Sequence, residues 1–223
     1  MLQVLKDSYI FFRINFLNIF KILLPILIFN FAFILILEFI SVPDRLSNLI
    51  DFMEYFISLI FHSVYSAGLI FFFDGILKGE FVSVKESLLK GLKMAPLVLL
   101  TDCIVLLITG VGFLLLIIPG IILSAKLSLT TYCLLLSKDM PLEAIKNSYE
   151  LTKGYTKSIL GCLTIVGLPY IIIFTIIPSL FKNGFDSIFS SFVIGIISNL
   201  FSAFLIIILF RFYCLINEKK AIA

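Results

Sequence analysis

"APLVLLTDCIVLLITGVGFLLLIIPGIILSAKLSLTTYCLLL", residues 95–136, is a run of 42 residues that carries only two charges, Asp102 and Lys126. A helix that crosses a bilayer needs about 20 mostly apolar residues, because the hydrocarbon core is about 30 Å thick and a helix rises about 1.5 Å per residue. The run is therefore long enough for two membrane-spanning helices joined by a turn. Since Gly and Pro interrupt helices, the turn is expected at Gly110–Gly112 or at Pro119–Gly120.

The rest of the chain has the same character. The 223 residues are 61% apolar and 14% charged, with a mean hydropathy of +1.18, whereas soluble domains are about 45–50% apolar and about 25% charged. The sequence therefore predicts an all-α, polytopic membrane bundle that forms a single integral membrane domain over residues 1–223. About six transmembrane helices are expected: Ile22–Ile40, Tyr55–Ile76, Ala95–Leu115, Ile118–Leu136, Ile159–Ile177 and Ser191–Leu215.

The distribution of Lys and Arg predicts the orientation of these helices, because cytoplasmic loops of membrane proteins retain Lys and Arg. With a cytoplasmic N-terminus, 14 cations lie on the inner side and two, Arg45 and Lys182, on the outer side, while Lys126 lies within the membrane. Both termini are therefore expected in the cytoplasm. The inner cations are Lys6, Arg13, Lys21, Lys78, Lys85, Lys90, Lys93, Lys138, Lys146, Lys153, Lys157, Arg211, Lys219 and Lys220.

Three short polar segments precede spans that start from the cytoplasmic side. Residues 2–9 read LQVLKDSY, residues 81–88 read FVSVKESL and residues 142–149 read LEAIKNSY. Each places Lys, an acidic or amide residue, Ser and a large apolar residue in the same order. In the third segment, Pro141 and Gly154 are start and stop signals for a helix.

Apolar residues recur at helical spacing in each of these segments, with the lysines beside the apolar stripe. This pattern is typical of an amphipathic helix that lies in the membrane interface. The predicted partner is accordingly the lipid bilayer, with anionic headgroups on the cytoplasmic side. The lysines expected to contact those headgroups are Lys6, Lys85 and Lys146.

The similarity of the three segments also suggests an internal repeat. Each unit would consist of one interfacial helix and the two spans that follow it, over residues 2–76, 81–137 and 142–216. The alternative is that short Lys-rich helices before membrane spans are simply common, and that no duplication took place.

Polar residues also fall within the predicted spans. His62, the single histidine of the chain, lies on one helical row with Ser58, Ser66 and Asp74. Small and polar residues on one face of a membrane helix usually pack against other helices. This row is therefore expected to face the interior of the bundle.

The two charges of the opening stretch allow two interpretations. A charge near the bilayer centre costs about 2.5–3.5 kcal/mol on insertion scales, so it is usually paired or lines a cavity. A turn near residue 114 would place Asp102 and Lys126 at the same depth. One interpretation is a proton or substrate site built from His62, Asp102 and Lys126. The other is an internal ion pair, or a lysine that reaches outward to the interface.

The sequence carries no motif for catalysis. It lacks HExxH, GxSxG and a phosphate-binding glycine loop, and one His is too few for a His-based metal cluster. The four cysteines, Cys103, Cys133, Cys162 and Cys214, lie apart in apolar stretches without CxxC spacing, and they are interpreted as small apolar residues. The net charge of +3 includes no basic run, so no nucleic acid is expected as a partner. The prediction is a protein without enzymatic activity, cofactor or metal.

Four stretches together resemble a known family. They are "DSYIFFRINF" (7–16), "IIPGIILSAKLSL" (117–129), "SKDMPLEAIKNSYELTKG" (137–154) and "ISNLFSAFLIIILFRFYCLI" (197–216). They resemble the YciC family of uncharacterised inner-membrane proteins of Gram-negative bacteria, in the same order and over nearly the whole chain. A more distant likeness is to the membrane domain that is fused to some glycerophosphodiester phosphodiesterases.

The resemblance implies a six-span protein of the bacterial inner membrane, and it supplies no activity and no catalytic residues. We expect a non-enzymatic protein with a role in membrane or envelope upkeep, acting through lipid contact, through a protein partner or as a homo-oligomer. The alternative is a small transporter or lipid-translocating protein that uses the intramembrane residues His62, Asp102 and Lys126, because transporters often contain repeats and broken helices near the bilayer midplane.

Overall fold

The computed structural model describes the backbone of residues 1–40, 44–180 and 185–222. Within these ranges the side chains of residues 34, 37–40, 44–48, 51, 54, 173, 174, 177–180, 185–191, 221 and 222 are not described. The described chain is helical and contains no strand. Its helices are α1 (Leu2–Ile40), α2 (Asp44–Leu77), α3 (Val84–Leu115), α4 (Ile117–Lys126), α5 (Thr130–Tyr132), a π-helical segment (Cys133–Ser137), α6 (Pro141–Leu151), α7 (Thr156–Leu180) and α8 (Phe185–Ile222).

Five segments of the described chain are long and apolar enough to cross a membrane. A sixth results if α6 and the first part of α7, which meet at an angle of 96°, count as one bent span. The predicted all-α bundle of about six spans is thereby confirmed. The five segments are Leu2–Phe33, Tyr55–Leu77, Val84–Leu115, Ile117–Ser137 and Phe192–Lys220.

The core of the bundle forms where α1, α2 and α8 meet. Phe73 on α2 is fully buried there. Its ring meets Phe11 of α1 edge-on at a centroid distance of 5.3 Å, and it lies 5.8 Å from the ring of Phe210 on α8. Aromatic pairs at such distances add dispersion and quadrupole attraction, which stabilises a contact that has no hydrophobic driving force in lipid.

Two glycines let α2 and α3 approach closely. A Cβ atom on Gly91 of α3 would lie 2.5 Å from the carbonyl oxygen of Val64 and 2.8 Å from the backbone nitrogen of Gly68, both on α2. These are backbone atoms of a neighbouring helix, which cannot move aside as a side chain can. Small residues at membrane helix crossings permit such close backbone contact.

Helices α3 and α4 meet at Leu116, whose extended backbone (φ −161°, ψ 143°) separates them. Both predicted positions of the turn are therefore wrong. Gly110–Gly112 lies within α3, and Pro119–Gly120 lies in the first turn of α4, where proline is tolerated because its missing N–H has no helical partner. Gly112 and Gly120 instead bring the two helices together, since a Cβ on Gly112 would lie 3.2 Å from the Cα of Gly120.

Only one of the three predicted interfacial segments is a separate helix. Residues 2–9 belong to the start of α1, and residues 84–88 form the start of α3. Both helices continue beyond these residues without a break, and Gly91 remains helical within α3. The third segment is α6, which starts at Pro141 and is separated from α7 by Gly154 in a left-handed conformation (φ +89°). For the first two segments, the prediction of a distinct interfacial helix is wrong. The proposed three-unit duplication stays a prediction.

Candidate functional site: a polar cavity in the bundle

A cavity of about 430 Å³ lies between α2, α3, α8 and the chain from α4 to α5. Apolar side chains such as Leu59, Ile70 and Leu205 form most of the surface of its wall. The rest is polar, which is unusual inside a bundle whose solvent is lipid. The polar lining residues are Tyr55, His62, Ser66, Asp102, Thr109, Ser124, Ser128, Thr131, Tyr132 and Ser202.

Helix α2 brings His62 and Ser66 to this cavity, as their helical row predicts. The His62 ring meets the ring of Tyr65 edge-on at 5.0 Å, and Ser66 is buried. Tyr65 in turn donates a hydrogen bond to Ser202 Oγ on α8, at 3.1 Å. The row therefore faces other helices in this region, whereas Asp74, further along it, pairs with Lys78 at 2.6 Å.

Helix α3 contributes Asp102, which accepts a hydrogen bond from Thr131 Oγ1 across 3.3 Å. This partner follows from the position of the turn. Asp102 lies 14 residues before Leu116 and Thr131 lies 15 residues after it, so antiparallel helices joined at Leu116 bring the two side chains to the same level. A turn near residue 114 would have brought Lys126 there instead.

Lys126 does not join His62 and Asp102 at the cavity. Its ammonium group lies 3.7 Å from the centroid of the Tyr149 ring on α6. None of the ion pairs among the described residues includes Lys126 or Asp102. A cation over an aromatic face is stabilised by the quadrupole of the ring. The structure therefore brings together two of the three residues of the predicted polar site and separates the third, which reaches toward α6.

The helix break after Lys126 is stabilised by hydroxyl groups from α6. Ser148 Oγ and Thr152 Oγ1 donate hydrogen bonds to the carbonyl oxygen of Lys126 at 2.9 and 3.0 Å. The backbone N–H of Leu129 donates to Ser148 Oγ at 3.2 Å. Ser148 and Thr152 are fully buried. A broken helix in a membrane is tolerated where Ser and Thr side chains satisfy the released backbone groups, so α6 holds the break next to the cavity in place.

The chain after the break is anchored to α8. Tyr132 donates a hydrogen bond to the carbonyl oxygen of Ile206 at 2.7 Å, and the hydroxyl groups of Ser137 and Tyr213 lie 2.9 Å apart. The segment Cys133–Ser137 between these contacts is π-helical. Short π-helical turns occur frequently at functional sites, because they displace side chains from the regular helical positions.

Helix α6 has three distinct faces. Ala144, Ser148 and Leu151 are buried against the rest of the protein. The predicted apolar stripe lies beside that face and remains largely on the surface, with Leu142 71% exposed and Tyr149 40% exposed. The third face carries exposed polar side chains: Glu143, Lys146, Asn147, Glu150 and Lys153. This arrangement suits a helix with protein on one side, acyl chains on the second and headgroups on the third.

The three lysines predicted to contact headgroups are all exposed and belong to no ion pair among the described residues. They are Lys6 on α1, Lys85 on α3 and Lys146 on α6. Lys85 also lines the edge of an almost entirely apolar groove of about 640 Å³ between α1, α2 and α3. The predicted outer cations Arg45 and Lys182 lie outside the described side chains.

Several residues that line the cavity carry no distinctive signal in the sequence. Ser124, Ser128 and Thr131 follow one another at helical spacing, which is the one signal that was available for them. Ser202 and Thr109 come from different helices, and only the fold brings them together. Hydroxyl residues are too common in membrane helices for single examples to indicate a site, because they can satisfy a carbonyl of their own helix, as Thr109 does with Val105 at 2.8 Å.

The cavity offers groups for proton exchange and hydrogen bonding. It combines an imidazole and a carboxylic acid, which can both take up and release protons, with hydroxyl groups that donate and accept hydrogen bonds. Over the described residues, no group of three or more His, Cys, Asp or Glu side chains is placed to hold a metal ion. The cavity can therefore accommodate a polar group through hydrogen bonds and charge.

Comparison with known proteins gives one match. A model of an uncharacterised protein family, UPF0259, matches residues 49–215, a range that contains every residue lining the cavity. UPF0259 is the YciC family, so this part of the predicted resemblance is confirmed. The more distant likeness to glycerophosphodiester phosphodiesterase membrane domains stays a prediction. No curated protein and no solved structure matches the chain.

Proposed function

The chain belongs to the UPF0259 family, and from that premise we propose that it is a multi-pass protein of the bacterial inner membrane with both termini in the cytoplasm. Its role is membrane or envelope upkeep without enzymatic activity. The orientation is supported by the 14 cations on the inner side against two on the outer side. The lack of catalytic motifs in the sequence supports a binding role over catalysis.

The observation that carries this proposal is the polar cavity. Polar and ionisable groups within a membrane bundle cost free energy, so they are retained where they bind a ligand, pair with one another or line a path. His62 and Asp102 line the same cavity without forming a mutual hydrogen bond or ion pair among the described contacts. We infer that the cavity accommodates the polar part of a molecule that resides in the membrane, and that the protein acts through this contact.

A deletion strain tests the proposal. It is complemented with the wild type, His62→Ala, Asp102→Asn or Thr164→Ala, and the membrane lipids are compared by mass spectrometry. An asparagine side chain retains an oxygen that can accept the hydrogen bond from Thr131, so Asp102→Asn removes the charge and keeps the local contact. Thr164 is exposed on α7, bonds only to the carbonyl of Leu160 at 2.9 Å and serves as the control.

The deletion is expected to alter the lipid profile. The wild type and Thr164→Ala should restore it, while His62→Ala and Asp102→Asn should fail at normal protein abundance. Full restoration by both cavity variants would remove the cavity from the proposed function.

Translocation of a small polar molecule or a lipid headgroup is the second candidate. The observation that favours it is the position of the cavity beside a broken helix and a π-helical segment, because transporter sites are often built at discontinuous helices. Lys126 would have no direct part in such a site. In proteoliposomes, transport would appear as uptake that depends on a proton gradient and is lost in Asp102→Asn. Lipid binding without such uptake would favour the first candidate.

A further inference from the structure

A second cavity, of about 260 Å³, lies between the start of α1 and the last third of α8. Its polar side chains are Asp7 and Ser8 from α1 and Arg211 from α8. The remaining wall is apolar and consists of Ile10, Phe11, Ile14, Leu77, Ile207 and Phe210. The cavity is separate from the one that contains His62 and Asp102.

Two polar atoms of this cavity are buried without a hydrogen-bond partner in the described part of the chain. They are Ser8 Oγ and Arg211 Nε. Ser8 is only 1% exposed. Buried polar atoms in folded proteins nearly always have a partner, and each exception calls for an explanation such as a ligand or a bound water. Ser8 and Arg211, which line one cavity from different helices, therefore each hold a polar atom that lacks a partner among the described residues.

The charges of the cavity indicate the kind of ligand. Arg211 Nη2 lies 3.3 Å from Asp7 Oδ2, and about a third of each side chain is accessible. A simple anion would meet the Arg211 guanidinium but would be repelled by the Asp7 carboxylate. A group that carries a phosphate and an ammonium matches both charges, because the phosphate can accept from Arg211 and Ser8 while the ammonium lies beside Asp7.

The apolar wall indicates that this group belongs to a lipid. The cavity is smaller than the pockets that enclose whole drug-sized ligands, so it suits a headgroup whose chains continue outside it. Ile10 is 45% exposed and Ile14 is 75% exposed next to the polar residues. They provide an apolar surface on α1 for the first part of an acyl chain.

We propose that Asp7, Ser8 and Arg211 bind the phosphoethanolamine headgroup of a membrane phospholipid. The phosphate meets the accessible part of the Arg211 guanidinium, and the ammonium pairs with Asp7. A small movement of the side chains on binding opens Ser8 Oγ and Arg211 Nε, which then donate hydrogen bonds to the phosphate. This site goes beyond the proposed function, since it shares no residue with the polar cavity. With the orientation proposed above, the site lies in the cytoplasmic leaflet, and this location is the one part of the proposal that rests on the proposed function.

Native mass spectrometry of the full chain from detergent micelles tests the proposal. The probes are phosphatidylethanolamine, phosphatidylglycerol and inorganic phosphate, each titrated separately. The variants are Ser8→Ala, Asp7→Asn and Arg211→Lys. The controls are Arg13→Gln, which removes an exposed α1 cation, and Thr164→Ala, which removes an exposed α7 hydroxyl, and both residues lie outside the two cavities.

We expect the wild type and both controls to retain one phosphatidylethanolamine in preference to phosphatidylglycerol. Ser8→Ala and Arg211→Lys should each weaken that binding about tenfold, the usual effect of one hydrogen bond to a charged group. Asp7→Asn should reverse the preference toward phosphatidylglycerol. In detergent without lipid, Ser8→Ala should unfold at the same temperature as the wild type or higher, because it loses no partner.

Three results would overturn the proposal. One is equal retention of the two lipids by the wild type. Another is unchanged phosphatidylethanolamine binding in Ser8→Ala. This result can be read even if Arg211→Lys fails to fold. The third is displacement of the lipid by inorganic phosphate, which would identify a phosphate site.

Discussion

The ammonium group of Lys126 lies 3.7 Å from the centroid of the Tyr149 ring. This contact joins the last residue of α4 to the exposed apolar stripe of α6, and it gives the lysine of a long apolar stretch a partner that is not an acid. A desolvated cation gains more from an aromatic face than an exposed one does. The contact therefore explains how the charge of Lys126 is accommodated while Asp102 is bound to Thr131.

A double-mutant cycle should show that Lys126 couples to Tyr149 and not to Asp102. For Lys126→Gln with Tyr149→Leu, we expect a coupling of about 0.5–2 kcal/mol in the free energy of unfolding in detergent. Tyr149→Phe retains the aromatic ring and should therefore retain most of this coupling energy. For Lys126→Gln with Asp102→Asn, the losses in the free energy of unfolding should be additive. Coupling in the second cycle that exceeds the first would restore the ion-pair interpretation.

Loss of the Ser148 hydroxyl should destabilise the break after Lys126. Ser148→Ala removes a donor to the Lys126 carbonyl and the acceptor for the Leu129 N–H, so we expect a loss of about 1–3 kcal/mol. The measurement is thermal unfolding in detergent. Ser124→Ala is the matched control, because its hydroxyl bonds only to carbonyls of its own helix, and it should have little effect. Equal losses in the two variants would show that Ser148 has no special role.

Gly91→Ala should destabilise the crossing of α2 and α3. The new Cβ would lie 2.5 Å from the Val64 carbonyl oxygen, so one helix must shift, at a cost of about 1–3 kcal/mol. Gly110→Ala on the same helix meets no atom within 4 Å and should be neutral or stabilising by up to about 1 kcal/mol. The measurement is the melting temperature of Gly91→Ala compared with that of Gly110→Ala. A Gly91→Ala protein as stable as the wild type would contradict the close approach of α2 and α3.

Reporter fusions check the proposed orientation. A reporter enzyme that is active only in the cytoplasm should work after Lys93, Lys157 or Ala223 and fail after Leu49 or Lys182. The physical reason is the retention of 14 cations on one side. Activity in the opposite set of fusions would reverse the orientation.

Spin labels on α6 check its position at the interface. A label at Leu142 should be relaxed by lipid-soluble oxygen, whereas a label at Lys146 should be relaxed by a water-soluble nickel complex. A label at Ala144, which is buried, should be protected from both reagents. These accessibilities follow from the apolar, polar and buried faces of the helix. Uniform access of the aqueous reagent would mean that α6 stands free of the membrane.

The sequence by itself determined the helical class and the approximate number of spans. Long apolar runs leave few options in lipid, where every backbone group must find its partner within the helix. The helical row of His62 and Ser66 was predicted as an inward face for the same reason, since the period of the helix fixes which residues share a side. Pro141 and Gly154 likewise marked α6, because both act on the local backbone.

Only the tertiary structure decided which polar residues meet. The turn at Leu116 itself contains neither Gly nor Pro, and Pro119 in the first turn of α4 does not fix its exact position. A shift of two residues in the turn moves the partner of Asp102 from Lys126 to the level of Thr131. The contact between Lys126 and Tyr149 depends on how α6 packs across the end of α4. Asp7 and Arg211 likewise meet because of the way α1 packs against α8. Helix periodicity fixes the face of a residue, but its partner on another helix depends on register and packing, which are set by the sum of many weak contacts over the whole bundle.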